Sequence, residues 1–579
     1  MQISINLTET KSLHLPHIRL PEIRGSGFWG LLLALILTIA VLLPIGVLIT
    51  DIFDSDFDLL KRVGGNTMLR DVMWNTVRLA VGVGVGTFGI GTFFAWLISF
   101  HDFPGRRWFD RLMLLPLAIP GFIMGFVYVT IFEFAGPVQT ALRNNFGWER
   151  GDYWFPNIAS PTGLILVLTL VLYPYVYILA RAAFQEQSAS TFEAARVMGL
   201  GPWKTFTRVV LPLARPQIVA GVLLVVMEAM TDYGTVSYFS YPTLSERIVV
   251  LWNTSYDLST ATELATMLVM IALVLIIAER SLRGRARFYQ QGGVHGRRPQ
   301  RQPLAGKMKW LATSACTFLL GIAFILPVTQ LVLWAIAELN HPTVGLWSES
   351  FKDYTLNSIT LAGSAAFIVM LIALLIAYGT RIQSTDRKTR SRWLPRMVTI
   401  GYAMPGAVIA AGVLTVVNPV DGAVTDFATD HLGWASPDYL LTGTIIALTY
   451  AYVVRFMAVG FNSVDASIEK VRPNMEGAAR TMGAGGFRVL WKVHLPLVRS
   501  GMIAGAILVF VDVMKELPAA LLLRPFGMDT LALRAYFLSG EGWHESAAIP
   551  ALMILVVGLI PVFILMRVGE RKELPNDGH

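Results

Sequence analysis

EAARVMGLGPWKTFTRVVLPLARP, residues Glu193 to Pro216, sets Arg196, Lys204, Arg208 and Arg215 against Glu193, yet it lies between two runs apolar enough to cross a bilayer. From Gly477 to Gly501 the chain says nearly the same thing again, as GAARTMGAGGFRVLWKVHLPLVRSG. A basic, Gly- and Pro-punctuated segment kept twice in so apolar a chain marks two equivalent places outside the hydrocarbon. Its surroundings set the fold.

Those surroundings are oily. Of 579 residues, 54% are hydrophobic and 15% charged, and the mean hydropathy of +0.57 is far too high for a soluble protein. About 20 apolar residues suffice to cross about 30 Å of hydrocarbon. Twelve such runs are present, at 28–50, 74–100, 112–134, 163–183, 216–232 and 262–280, then 309–338, 356–380, 396–416, 440–460, 500–514 and 546–567. The fifth and eleventh each run into an acidic stretch. The runs are continuous and not alternating, which disfavours a β-barrel.

The net charge of +8 follows the membrane and does not point to nucleic acid. The linker SLRGRARFYQQGGVHGRRPQRQPLAGKMK (281–309) holds eight Lys/Arg and no acid, whereas the loop VNPVDGAVTDFATD (417–430) holds three Asp and no base. Basic loops stay cytoplasmic, so the linker is expected inside and the Asp-rich loop outside. HDFPGRRWFDR (101–111), both repeated segments, RIQSTDRKTRSRW (381–393) and RVGERKE (567–573) then all fall inside, with both termini. The first run is too long for a signal-peptide core and reads as an uncleaved span. Cys316, the single cysteine, reads as a small packing residue.

The repeat extends beyond the basic segment. Asn75 in WNTVRLA pairs with Asn357 in LNSITLA, AIPG (118–121) with AMPG (403–406), AARVMG (194–199) with AARTMG (478–483), and Leu211–Leu213 with Leu495–Leu497. Six spans per copy give both copies the same direction, hence a parallel repeat about a pseudo-two-fold axis along the membrane normal. The expected organisation is an N-terminal segment (1–27), a first six-helix domain (28–280, with its loop at 190–215), a linker (281–308), a second six-helix domain (309–567, loop 474–499) and a tail (568–579). The fold class is all-α and polytopic.

Within the first loop, Ser190 or Thr191 is a plausible N-cap and Glu193 suits the positive end of a helix. Gly199 and Gly201 end that helix, and Pro202 suits the first position of another. Pro212 punctuates the entry to the next span. The predicted product is a helix-turn-helix hairpin on the cytoplasmic face. Basic residues on lipid head groups explain the charge, but lipid needs no fixed turn, and two copies with matched Gly and Pro spacing suit a shaped protein partner.

The pattern Glu-Ala-Ala, three residues, Gly, nine residues, a β-branched residue, any residue, Leu-Pro resembles the cytoplasmic loop of ABC importer permeases. Glu193, Ala194, Ala195, Gly199, Val209, Leu211 and Pro212 match it; the second copy has Gly477 in the Glu position and Glu476 one place early, followed by Ala478, Ala479, Gly483, Val493, Leu495 and Pro496. The resemblance covers essentially the whole chain. It implies a bacterial inner-membrane permease whose two coupling helices dock on two copies of an ABC ATPase, with a periplasmic substrate-binding protein at the outer face. ATP and Mg would sit on the ATPase; this chain would bind no cofactor and catalyse nothing itself. No Walker motif occurs, and GVGTFG (84–89) lies inside a span with no strand before it and no acid about 20 residues on; Gly82 and Gly86 read as close-packing positions. No H-E-x-x-H or G-x-S-x-G cluster is found.

The spans after the two loops carry carboxylates. GVLLVVMEAMTDYG (221–234) aligns with GAILVFVDVMKELP (505–518), so Glu228 matches Asp512 and Asp232 matches Glu516. An intramembrane acid costs about 2.5–3.5 kcal/mol on insertion scales and normally faces a protein interior or aqueous path. Symmetry would set all four around the central axis, and the alternatives are head-group exposure or pairing, for instance of Glu516 with Lys515 or Arg524. Carboxylate and phenolate oxygens, the latter from Tyr233 and Tyr238, suit a hard cation. TDYGTVSYF (231–239) and KELPAALLLRPFGMDTLALRAY (515–536) resemble segments of fused ferric-iron permeases, which implies Fe(III) as cargo; permeases of similar plan serve thiamine and other small solutes. A gradient-driven secondary transporter would use the acids equally well but has no partner for the hairpins.

Overall fold

The computed structural model describes residues 28–54, 67–149, 151–187, 189–255, 258–286, 301–342, 349–382, 397–432 and 440–571. Among the described residues, twelve helices are long and apolar enough to span a membrane: Gly30–Thr50, Thr67–Phe100, Gly121–Phe146, Pro161–Gln185, Trp203–Thr231 and Thr260–Ala278, then Gly306–Asn340, Phe351–Arg381, Gly406–His431, Ile445–Ile468, Gly486–Met514 and His544–Ile564. They are called spans 1 to 12 in that order. The protein is therefore an all-α polytopic membrane protein of two parallel six-helix repeats. Apart from a two-residue pairing of His101–Asp102 with Gln302–Pro303, the described residues form helices and their connections.

Four local expectations are corrected. Span 3 begins at Gly121 and not near 112, because a 3-10 turn at Leu115–Ala118 and extended backbone at Ile119 precede it. Proline lacks an N–H and forces the residue before it out of the helical region, and Pro120 does this to Ile119. The second copy repeats the device, with a 3-10 turn at Ile400–Ala403, extended Met404 and a helix from Gly406. The repeated A-[IM]-P-G is thus a stop followed by a start. Second, the Asp-rich stretch 417–430 is no loop, since the helix Gly406–Leu432 runs through it and through Pro419. Asp421 is fully buried there and accepts hydrogen bonds from the amides of Leu440, Leu441 and Thr442.

Third, the first hairpin helix begins at Ala189, so Ser190 and Thr191 lie inside it, past the capping position. Fourth, Pro212 does not separate the second hairpin helix from its span. The short helix Pro202–Thr205 runs through a π-turn at Phe206–Val210 into the helix Leu211–Thr231. Gly486–Val489, Leu490–His494 and Leu495–Met514 do the same. A proline removes an intrahelical donor and crowds the carbonyl four residues back. The wider π-turn just before Pro212 and Pro496 absorbs both effects.

Each half's first helix reaches into the other half, span 1 much further than span 7. Span 1 lies against spans 8 and 9 of the other half, where the Tyr450 hydroxyl donates to the Ala40 carbonyl. Span 7 packs chiefly on span 12 of its own half and also reaches span 3 of the first, with the Tyr128 hydroxyl donating to the Ile322 carbonyl and Phe126 stacked on Trp334. Within the first half, Gly82 and Gly86 of span 2 meet Ile165 and Thr169 of span 4 at distances that leave no room for a Cβ. The opposite ends of spans 5 and 11 lead into short helices, Gly234–Tyr238 and Leu244–Val250 in one half and Pro518–Leu523 and Leu531–Gly540 in the other. The repeated Asn and its hydroxyl neighbour hold these in place. Asn75 donates to the Pro242 carbonyl and Thr76 accepts from the Leu244 amide; Asn357 donates to the Asp529 carbonyl and Ser358 accepts from the Leu531 amide.

Candidate functional site

Span 5 ends at Thr231 and span 11 at Met514, and between these ends lies a cavity of about 130 Å³. Glu228, Asp232, Asp512 and Glu516 all line it, together with Tyr175, Tyr233, Arg455 and Lys515. The four carboxylates that the repeat relates come together here. Asp232 and Glu516 are not exposed at head groups. Each sits just past the end of its helix and accepts the amide three residues on. Asp232 takes the Thr235 N–H at 2.7 Å and the Thr235 hydroxyl at 2.6 Å; Glu516 takes the Ala519 N–H at 3.3 Å. These contacts satisfy free donors at the start of the next short helix, which is why an acid recurs at that place.

Pairing divides the halves. In the second half, Arg455 Nε lies 3.3 Å from Glu516 and Lys515 Nζ 2.9 Å from Asp512. Arg524 turns away to Asp529 at 2.8 Å. Pairing of the acids therefore occurs, but with other partners than expected: Lys515 takes Asp512, and Glu516 takes Arg455. In the first half, the Glu228 carboxylate has no hydrogen-bond or ion-pair partner among the described residues, and Asp232 meets only uncharged donors of the next short helix, Thr235 foremost. The stretch LVLTLVLYPYVY (166–177), which corresponds to the region around Arg455, contains no cation. Arg455 is the residue that the sequence reading missed. Its signal was present, a lone arginine inside an apolar span.

The tyrosines serve otherwise than expected. Tyr233 lines the cavity, but its hydroxyl meets that of Tyr536 at 2.9 Å. The Tyr238 hydroxyl donates to the Tyr536 carbonyl at 3.0 Å and also meets Ser539. Both tie the first half to the second, and Tyr238 does not line the cavity. Among the described residues no three His, Cys, Asp or Glu converge closely enough to hold a metal ion. Among the described residues the cavity is lined by charge of both signs but offers no chelating cage.

The other candidate residues lie at the opposite end, on the hairpins. The helices Ala189–Val197 and Pro473–Thr481 end alike. Gly199 (φ 74°) and Gly483 (φ 80°) adopt the left-handed conformation, and the amides of Leu200 and Ala484 reach back to the carbonyls of Ala195 and Ala479. This is a Schellman closure, which favours Gly because a Cβ is disfavoured there. Ala195 and Ala479 are buried, while Glu193, Ala194, Gly477 and Ala478 are exposed. Leu211 and Leu495 are half-buried and Pro212 and Pro496 exposed. Apolar side chains stand out from both hairpins at matched places: Met198 and Met482, Trp203 and Phe487. Glu476 is not a shifted copy of Glu193. Its side chain turns inward, 2.5 Å from Arg381 Nε and 3.1 Å from His494 Nε2.

Two parallel six-span halves, a shared acidic cavity and a matched pair of exposed hairpins define a membrane permease built from two fused copies of one unit. The chain belongs to the family described as binding-protein-dependent transport system inner membrane component, whose model matches it twice, over residues 88–282 and 379–574. It is accordingly a multi-pass inner-membrane transport component. It is 24% identical to the Fe(3+)-transport system permease protein FbpB 2 of Haemophilus influenzae, over 94% of this chain and 99% of that one. It is 22% identical to the ferric transport system permease protein FbpB of Actinobacillus pleuropneumoniae, over 96% and 80%. One half's length is also similar to the molybdenum transport system permease protein ModB of Escherichia coli, 26% identical over 37% of this chain and 94% of that one.

Proposed function

We propose that this chain is the translocation subunit of an ATP-driven importer and that its cargo is ferric iron. The observation that carries the reading is the cavity between spans 5 and 11, where four carboxylates face two cations. With all six ionised, the lining keeps two negative charges, which attract a hard cation and repel an oxyanion such as molybdate. The carboxylates without a cationic partner among the described residues lie on the first half, so Glu228 and Asp232 would carry the passing charge. Similarity to two ferric permeases points to the same cargo. The energy would come from two ABC ATPase subunits, carrying ATP and Mg, that receive the two hairpins. A substrate-binding protein would deliver iron at the end opposite them. Closure of the ATPase pair would draw the hairpins together and rock the halves between inward- and outward-facing states. The hairpin end would then be cytoplasmic.

The test is uptake of radiolabelled Fe(III) in cells carrying Glu228→Gln, Asp512→Asn or both. At an effective dielectric of about 20, one charge about 4 Å from a cation is worth about 4 kcal/mol, so Glu228→Gln should lower uptake at least about tenfold. Asp512→Asn, whose charge Lys515 already offsets, should do less. Normal uptake by the double variant would overturn the cationic path, and Fe(III)-independent uptake of molybdate would overturn the cargo.

A further inference from the structure

A second and larger cavity, of about 930 Å³, opens at the hairpin end of the first half. It lies where span 2 ends at Phe100 and span 4 at Gln185, which is the depth of lipid head groups. One wall is the pairing of His101–Asp102 with Gln302–Pro303, closed by the Leu304 amide on the Asp102 carbonyl at 3.0 Å. This joins the first half to the start of the second. Arg106, Arg107 and Arg301 line the cavity against a single acid, Asp102. Arg106 is only 5% exposed. Its Nε forms an ion pair with Asp102 at 3.3 Å and its Nη1 donates to the Ile98 carbonyl at 3.5 Å, but among the described residues the Nε makes no hydrogen bond and the buried Ser99 hydroxyl has no partner. Phe100 and Phe184 supply an apolar side, and Trp108 stands 67% exposed beside the arginines.

A buried guanidinium with a donor unused is costly, and three arginines against the one carboxylate of Asp102 leave the cavity a surplus of positive charge that a second anion would offset. Basic pockets between transmembrane helices at head-group depth accept anionic phospholipids, and an indole at the boundary suits the same level. We propose that this cavity binds the phosphate-bearing head group of an anionic phospholipid. The phosphate meets Arg106, Arg107 and Arg301, and the acyl chains leave along Phe100 and Phe184. The lipid thereby fastens the seam between the two halves. The site is separate from the central cavity, it shares Phe100 and Phe184 with the aromatic cluster beneath the first hairpin, and it needs neither the iron reading nor an ATPase.

The test uses the full chain, purified in neutral detergent and stripped of lipid, with bound adducts counted by native mass spectrometry. Cardiolipin and phosphatidylglycerol should each give one retained adduct, and phosphatidylcholine none. Each surface arginine near anionic lipid is worth roughly fivefold in affinity, so Arg107→Gln with Arg301→Gln should weaken retention roughly 25-fold. Lys307→Gln with Lys309→Gln, an equal charge change outside the cavity, should leave retention unaltered. Arg106→Gln should abolish the adduct; if that variant fails to fold, the Arg107 and Arg301 pair decides. Equal losses in the lysine and arginine pairs would overturn the site. Inorganic phosphate binding as tightly as cardiolipin would overturn the lipid and leave a soluble phosphate ligand.

Discussion

The two hairpins share one backbone and rest on different chemistry. In the first, Phe206 of the π-turn packs among Trp96, Phe184 and Trp203, with ring centroids 5.2, 6.1 and 5.8 Å away, and Phe100 and His101 extend the cluster. In the second, Arg381 at the end of span 8 holds Glu476 and the carbonyls of Ile468 and Val471. His494 of the π-turn lies beside Glu476 and against the Tyr378 ring, and the Tyr378 hydroxyl donates to the Gly486 carbonyl. The first copy has Phe192 and Val210 in the places of Glu476 and His494, 284 residues earlier. Identical turns can therefore be seated by aromatic packing or by an ion pair. The difference teaches that the repeat preserves the surface a partner meets and leaves the support free to diverge.

Arg381→Ala should break the comparison hardest. It would strand Glu476, whose side chain is 15% exposed, and free two carbonyls. Removing one member of a buried pair costs about 3–5 kcal/mol. Hydrogen exchange over 473–494 should speed up accordingly, while 189–205 stays protected. Adding Glu476→Gln to Arg381→Met should recover part of the loss, since no uncompensated charge then remains. Phe206→Ala is the mirror experiment. It should cost about 3 kcal/mol in the first hairpin alone, through lost packing and the cavity left behind. Opening of the second hairpin in that variant would show that the supports are not independent.

How much of this was legible follows from the kind of signal each feature leaves. Spans, the repeat and the meeting of Glu228, Asp232, Asp512 and Glu516 follow from periodicity and symmetry, which a single chain displays. Gly199 and Gly483 were legible because a left-handed turn narrows the choice of residue to one. The Arg455–Glu516 pair was not, because its partners are 61 positions apart in spans whose relative rotation no local pattern sets. The crossing of span 1 to the other half was hidden likewise, since apolar helices in lipid carry no hydropathy mark of which neighbour they prefer. Asp421 misled because an acid in a polar stretch reads as loop, whereas here it collects three amides from a returning chain.

The shared turn offers the next effect in size. A side chain in the left-handed region costs about 1–2 kcal/mol, and nothing within 4 Å would meet a Cβ on Gly199 or Gly483. Gly199→Ala and Gly483→Ala should therefore cost the same despite the different supports. Valine, which is β-branched, should cost more and lower ATP-dependent uptake in both halves. Unequal costs for the two alanine variants would show that the ion pair or the aromatic cluster reaches into the turn.

The smallest effect near neutrality separates the hairpins by pH. Burial opposes ionisation of Glu476, but the close approach of the His494 ring and the charge and hydrogen bond of Arg381 outweigh it and hold the carboxyl below its ordinary value. A carboxylate held down in the folded state binds protons more readily once released. Its contribution is therefore complete above the unfolded value of about 4.3 and fades as pH falls through the folded one. At neutral pH the second hairpin should show no pH dependence from this group, and below about pH 4 it should loosen ahead of the first. The measurement is hydrogen exchange corrected for intrinsic rate, read over 473–494 and 189–205 from pH 7 down to pH 3. Glu476→Gln should abolish the difference in slope. Equal acid sensitivity of the two hairpins, or a slope that survives Glu476→Gln, would move the asymmetry from the ion pair to some other group.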